Sequence, residues 1–502
     1  MLTRLRSVLP ERRSAPAAVR VERGQWAVLA GLIGAFVAAY ITHSFLRFHA
    51  YEAKGYDLGI FDQAVRQYAM LKPPMVPVKG VDFHLLGDHF HPILALLAPF
   101  YWLWDDPRML GIIMALALGC SAVPVYLFAR RRCGHLVSLL AVAGLLLSWP
   151  YQAMVNWDFH EITLGVPIMA WLVWAIDGCR PWTATALAVS LLSVREDMGV
   201  TLVAVALVLA IRRHLWPALV TFAAGLLGYW FATSVAIPHF SPTGDFGYWQ
   251  FTALGPDLPS SLVFILTQPW AAVAVLVDHP LKIGLWLLHF VPLLLLPLLS
   301  PLTLMAMPIL VSRLFNDRLN VWAPVYQYDA ILAPILLMAA LEGAVRLGGW
   351  LGTRHRPALL TAVSGALLAT GLIGTALFPQ VFPFHRSATG DLVRTQHGDD
   401  LNHAVSLIPD GVCVEAADNA VPHLTERTYV GLHGDIGDEL STWMIIDTKV
   451  SELGGWDPLT PEQALRRADR LGFETVWRAR DVVVLHHPDR PVAPRCGDYL
   501  SR

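Results

Sequence analysis

Residues 26–66 read WAVLAGLIGAFVAAYITHSFLRFHAYEAKGYDLGIFDQAVR. The first half, from Trp26 to about Leu46, is an apolar run long enough to cross a bilayer as a helix, which takes roughly 20 residues. A basic arm precedes it (Arg4, Arg6, Arg12, Arg13, Arg20, Arg23) and no small-residue cleavage site follows, so it reads as a retained span and not a signal peptide. The second half turns abruptly to residues that carry chemistry. The rest of the chain repeats that alternation. Of 502 residues 55% are hydrophobic and 15% charged, against about 25% charged in ordinary soluble domains, and the mean hydropathy is +0.49. Apolar runs separated by short polar clusters are the pattern of a polytopic membrane protein. With 37 basic and 39 acidic side chains the chain lacks the long-range attraction for phosphate backbones, which excludes nucleic acid as a partner and leaves the lipid bilayer.

Eleven spans are predicted, near 26–47, 107–129, 135–153, 162–177, 182–194, 198–211, 215–237, 282–299, 301–314, 328–346 and 357–378. Several are too short for a straight crossing, which predicts tilted or broken helices around a cavity. Arg130, Arg131, Arg132, Arg180, Arg212, Arg213, Arg346, Arg354 and Arg356 cluster in alternate loops, so those loops and the arm 1–25 are expected inside. Loops 48–91, 154–161, 195–197, 238–281 and 313–329 then face outside. The expectation is an α-helical polytopic domain over 26–378 with a small extracytoplasmic α/β domain over 379–502. Short strands are read at Val412–Glu415, Tyr429–Val430, Trp443–Asp447 and Asp481–Leu485, and a helix from Pro461 to Leu471 that opens on its proline. The five cysteines form no CxxC pair; Cys413 and Cys496 either pair in the external domain or remain two free thiols.

The outer loops hold the candidate site. If 57–70 is a helix with Asp57 as N-cap, Leu58, Phe61, Val65 and Tyr68 share one stripe, which predicts an amphipathic helix lying on the membrane. Asp57 is then a cap, a catalytic carboxylate at the membrane surface, or both. Between Asp82 and Pro92 come His84, Asp88, His89 and His91. One reading is a divalent cation held by Asp88, His89, His91 and Glu161; another is hydrogen bonding to a phosphate or sugar; the plain one is interfacial and capping residues. Asp158, His160 and Glu161 follow in the next outer loop. Arg195, Glu196 and Asp197 sit between two apolar segments with almost no loop, where charge is expensive. Arg195 either closes an ion network there or offers a guanidinium to phosphate. Arg313, Arg318, Tyr326 and Tyr328 add a basic and aromatic rim, which also suits an interfacial belt.

At Tyr56-Asp-Leu-Gly-Ile-Phe-Asp-Gln63, Gly87-Asp-His-Phe-His-Pro92, Asp158-Phe-His-Glu161 and Arg195-Glu-Asp197, the sequence resembles the DUF2079 family of bacterial and archaeal membrane proteins. More distantly it is similar to the GT-C superfamily of membrane glycosyltransferases. Those enzymes carry an acid in the first external loop, an amphipathic helix beside it and often an external C-terminal domain. The resemblance implies a polyprenyl-phosphate-linked sugar donor. It also implies transfer, commonly inverting, to a cell-envelope glycan, lipid or protein on the outer face of a bacterial plasma membrane. The superfamily often has adjacent acids or DxD where this chain has DLGIFD, so Asp57 and Asp62 both stand as the catalytic acid. Arg195 and Arg313 are then expected at the phosphate. His84, His89, His91, Asp158, His160, Glu161, Glu196, Asp197 and Tyr326 are expected around the sugar or a divalent cation. A lipid or sugar transporter, or a metal-dependent external hydrolase, would use the same rim.

Overall fold

A capping box starts the first helix: the Glu22 side chain accepts from the peptide N–H of Gln25, whose side chain accepts from the N–H of Glu22 at 3.3 Å. In this computed structural model, which describes residues 20–501, that helix, α1, runs Arg23–His49. Arg4, Arg6, Arg12 and Arg13 of the expected inner arm lie outside the described residues. Among the described residues six helices are long and apolar enough to cross a membrane, or seven if the pair Leu258–Thr267 and Pro269–Val275, bent by 111°, is one span. The six are α1, Arg108–Arg130, His135–Trp157, Leu215–Phe240, Leu332–Leu351 and Thr353–Leu377, at six of the eleven expected positions. The remaining five are short. Ile162–Asp177 and Met198–Ile211 are apolar helices of 16 and 14 residues, and Pro181–Leu191 has 11. At 282–314 prolines break the chain into Pro280–Phe290, two 3-10 turns and Met307–Phe315, with Leu294 and Leu295 in the left-handed region.

Charge inside the bundle is paired. Glu342, within an expected span, is buried and accepts from Arg212, Arg346 and Ser300, ten residues, or roughly 15 Å of helix, from the start of its helix at Leu332. Asp177 likewise takes both Arg131 and Arg132.

The C-terminal part carries the expected strands. β1 (Cys413–Ala416), β2 (Tyr429–Gly431), β3 (Trp443–Asp447), β4 (Glu474–Ala479) and β5 (Val482–His486) form one sheet in the order β2-β1-β3-β5-β4, parallel at β1–β2 and β1–β3 and antiparallel elsewhere. The helix Pro461–Arg470 begins on its proline behind a Thr460–Gln463 capping box. β4 escapes a periodicity reading because it is a largely exposed edge strand. Cys413 and Cys496 are joined, tying β1 to the short helix Pro494–Asp498. One apolar core runs without interruption from the bundle to Val414, Ile445 and Val484 of the sheet.

Between bundle and sheet lies the segment after α1. A π-helical turn over Gly55–Gly59 leads into α2 (Ile60–Ala69). The expected membrane-surface helix is corrected here: Ile60 to Gln67 are all buried, with Gln63 donating to the Val430 carbonyl at 2.8 Å and Gln67 to that of Tyr499 at 3.1 Å. The face that the stripe pattern assigns to lipid is covered by protein, Phe61 packing on His91, Phe159 and His160, while Gln63 and Gln67 meet the C-terminal domain from the other side. Asp57 is not the N-cap either. The leading N–H groups, which a helix start leaves without partners, are met from far away in sequence: Lys54 N–H by Asp158 Oδ2 at 3.1 Å, Gly55 N–H by the Asp418 carbonyl at 2.7 Å and Tyr56 N–H by Asp418 Oδ1 at 2.8 Å. Asp158 is itself paired with buried Arg47.

Gly55 is the closest approach in this joint. A Cβ there would stand 2.5 Å from Val421 Cβ, whereas one on Gly31 would meet nothing within 4 Å. Gly55→Ala is therefore expected to cost about 1–3 kcal/mol by overpacking, read as a lower unfolding temperature of the purified protein. Gly31→Ala should not lower it. Equal behaviour of the two variants would contradict the close docking of this turn.

Candidate active site

Relieved of capping, the Asp57 carboxylate faces a cavity of about 630 Å³ at the end of the bundle, beneath the C-terminal domain. All five of the expected outer loops contribute side chains to it, 238–281 through residues 246–265. Asp57, His89, His91, His160, Glu161, Arg195, Glu196, Asp197, Arg313 and Tyr326 all line it, as does Asp88.

Polar residues at this depth are stable only when paired. His160 Nε2 lies 3.2 Å from Asp57 Oδ1. His89 Nδ1 is 2.7 Å from Glu196 Oε1, whose second oxygen accepts from Phe90 N–H at 3.0 Å. Lys79 Nζ sits 2.8 Å from Asp88, which also accepts from the Tyr248 hydroxyl. Arg195 reaches Glu161 at 3.6 Å and Asp197 at 3.2 Å. Arg313 is held by Asp329 and donates to the Val321 carbonyl at 2.9 Å, while His289 Nε2 closes on the same Asp329 at 2.8 Å. Tyr326 packs edge-on to Trp157, ring centroids 4.2 Å apart. Arg318 also lines the cavity, and among the described residues it has no carboxylate partner. Arg195 Nε, Arg313 Nη2 and Arg318 Nε are each buried with no acceptor.

Burial alone would lower the His160 imidazole, but the adjoining Asp57 and Glu161 carboxylates hold it above its ordinary value. His89 is raised in the same way, burial being outweighed by Glu196 and Asp88. His91, buried beside His89, is lowered. Burial pushes Asp88 up and Lys79 with His89 pulls it down, leaving it at about 2.

Three expected site residues lie elsewhere. Asp62, on α2, is fully buried and accepts from Arg66 at 2.9 Å and from the Tyr101 hydroxyl at 2.7 Å; Arg66 also reaches Asp105. Four residues along a helix brings Asp62 and Arg66 together, which accounts for the pair more simply than chemistry does. Asp158 is taken by Arg47 and the Lys54 N–H. His84 accepts from Leu86 N–H at 3.3 Å and stacks on Phe240 at 4.1 Å. Asp88, His89, His91 and Glu161 share the cavity without converging: among the described residues no three His, Cys, Asp or Glu side chains are placed to hold a metal ion.

Sequence reasoning passed over Lys79, Asp418 and Trp456. Lys79 stands in a loop with no motif, between the rings of Tyr56 and Phe83 at 5.3 and 5.2 Å. Asp418 and Trp456 belong to the C-terminal domain, and only long-range docking brings them to the site.

The model for predicted membrane proteins of the DUF2079 family matches residues 49–449, and the chain belongs to that family. No curated protein matches it by sequence. Its fold is shared with ArnT from Cupriavidus metallidurans. The crystal structure of ArnT bound to undecaprenyl phosphate aligns with a TM-score of 0.56 at 14% identity, over 93% of this chain and 99% of that one. The apo structure aligns at 0.53 and 13%, over 93% and 100%.

Two outcomes are expected from this geometry. Asp62→Asn leaves Arg66 deep in protein with one exposed partner and should cost about 3 kcal/mol, while Asp57→Asn, on a half-open carboxylate, should shift stability by less than about 1 kcal/mol. Thermal unfolding of both variants checks this, and the reverse order would contradict the assignment. His89 and His160 are raised in the folded state, so their stabilisation is present below the ordinary imidazole value and is lost as pH rises through the raised ones. The unfolding temperature should therefore fall on going from slightly acidic to alkaline pH, and His89→Gln should flatten that fall.

Proposed function

We propose that this membrane protein is a glycosyltransferase of GT-C type. It takes a sugar from a polyprenyl-phosphate donor and passes it to an extracytoplasmic acceptor, with Asp57 as the general base. The observation that carries this reading is the make-up of one cavity. The Asp57 carboxylate, on a turn clamped by Asp158 and Asp418, shares it with three guanidiniums, Arg195, Arg313 and Arg318, each of which keeps an N–H without an acceptor. Buried donors are almost always satisfied, and a phosphate offers the oxygens these lack. The likeness in fold to a protein crystallised with undecaprenyl phosphate supports the same ligand chemistry.

In this mechanism the acceptor hydroxyl gives its proton to Asp57 as its oxygen attacks the anomeric carbon. The bond from that carbon to the phosphate oxygen breaks, and the electron pair leaves with polyprenyl phosphate. One carboxylate acting once as base gives inversion. The arginines stabilise the charge that grows on the leaving phosphate, and donors fixed by the protein do this without reorganising. His160, beside Asp57, orients the carboxylate. His89 and His91 face the sugar hydroxyls. A divalent cation would have to recruit its ligands from Asp88, Glu161 and these histidines by local rearrangement.

For orientation we propose an inner N-terminus and an outer C-terminal domain in a bacterial plasma membrane. Arg131, Arg132, Arg212 and Arg346 gather at helix ends away from the cavity, where the positive-inside rule places the cytoplasm. The Cys413–Cys496 disulfide suits an oxidising compartment.

Purified protein in liposomes, given radiolabelled undecaprenyl-phosphate sugars and cell-envelope acceptors, should transfer the label. Asp57→Asn should lose about 100-fold or more of that rate while remaining folded, and Asp62→Asn that survives purification should lose far less. Movement of intact lipid-linked sugar across the bilayer without transfer would overturn the reading in favour of a transporter.

A further inference from the structure

The link from β3 to the helix Pro461–Arg470 holds the sequence Leu453-Gly-Gly-Trp456. Leu453 is buried in the core of the C-terminal domain and anchors it. Gly454 and Gly455 take φ values of 95° and 104°, and a Cβ on Gly454 would lie 2.5 Å from Asp418 Cβ. No other residue type follows this path without strain. Asp418 N–H donates to the Leu453 carbonyl at 3.1 Å. The same Asp418 receives Gly55 N–H and Tyr56 N–H, so one residue fixes both this link and the turn that carries Asp57.

From that anchor the chain projects Trp456 to the cavity. Among the described residues it is the one lining residue beyond Ile331, and 61% of it is exposed. A large indole is normally packed away; here its ring is met by the Arg318 guanidinium 5.0 Å from the centroid and by the Tyr248 ring, edge-on at 6.5 Å. The result is a fixed, open aromatic plane beside a cation without a carboxylate partner. A lipid tail is poorly matched to that charge. A sugar ring matches both parts: its C–H face packs on the indole, and its hydroxyls accept from the guanidinium.

We propose that Trp456 is a specificity-determining residue, the platform on which a sugar ring of the donor or of a glycan acceptor stacks. The inference rests on the glycosyltransferase reading and makes the C-terminal domain part of the substrate site.

The test uses the full chain in nanodiscs with 5-fluorotryptophan, where Trp456→Phe identifies the Trp456 fluorine resonance by its loss. The probes are undecaprenyl phosphate, undecaprenyl phosphate bearing glucose, mannose, galactose or arabinose, and the methyl glycosides of those sugars. The resonance should move with a sugar-bearing probe and not with bare undecaprenyl phosphate. A shift with the glycolipid alone assigns the platform to the donor, and one with the glycosides alone to the acceptor. An equal shift with the bare lipid, or none with any probe, would overturn the proposal. In the transfer assay Trp456→Ala should raise KM for the stacked substrate by about tenfold with kcat nearly unchanged, and Trp456→Phe should restore most of it. Because the fluorine signal reads binding, a shift without transfer would sink the enzyme reading and leave the sugar platform standing.

Discussion

A helix that begins inside protein must find acceptors for its first N–H groups, and the segment Gly55–Ala69 finds them in two aspartates remote in sequence. Asp158 comes from the bundle and Asp418 from the C-terminal domain. Asp158 is in turn neutralised by Arg47 at the end of α1. This arrangement binds the first long helix, the second outer loop and the sheet domain to a single turn. It also frees Asp57. A carboxylate spent on capping its own helix would have little left for a substrate; here that task is done from outside and the side chain pairs with His160.

The remaining charges of the cavity follow the same economy of pairing. Lys79 with Asp88, His89 with Glu196, and Arg195 with Glu161 and Asp197 set a largely neutral lining, which a low-dielectric site requires. Positive character is left where the partners run short, on Arg318 and on the unsatisfied N–H groups of Arg195 and Arg313. A site built this way has stored capacity for one anionic group next to one base. At the other end of the bundle, Asp177 and Glu342 each pair with two arginines.

Much of this was legible in the sequence because hydropathy and sidedness are local signals. The long spans appear as apolar runs, and the polar residues of successive outer loops must meet where those helices end together; Asp57, His89, Glu161, Glu196 and Arg313 do share one cavity. The short spans are read as tilted or broken helices, and at 282–314 proline and left-handed leucines do break the run. The apolar stripe of α2 suggested lipid, since a sequence pattern records that a face is covered and not by what. Asp62 looked equivalent to Asp57 by motif, and only burial against Arg66 and Tyr101 separates them. Asp418 and Trp456 had no signal at all, because their roles exist only once the sheet domain docks on the first loop.

The central claim is that the cavity over Asp57 receives a lipid phosphate. An experimental structure of the full chain in nanodiscs with undecaprenyl phosphate tests it most directly. The account predicts the phosphate within hydrogen-bonding reach of at least two of Arg195, Arg313 and Arg318, in the cavity that Asp57 lines. Phosphate bound on another face, with this cavity filled only by water, would contradict it.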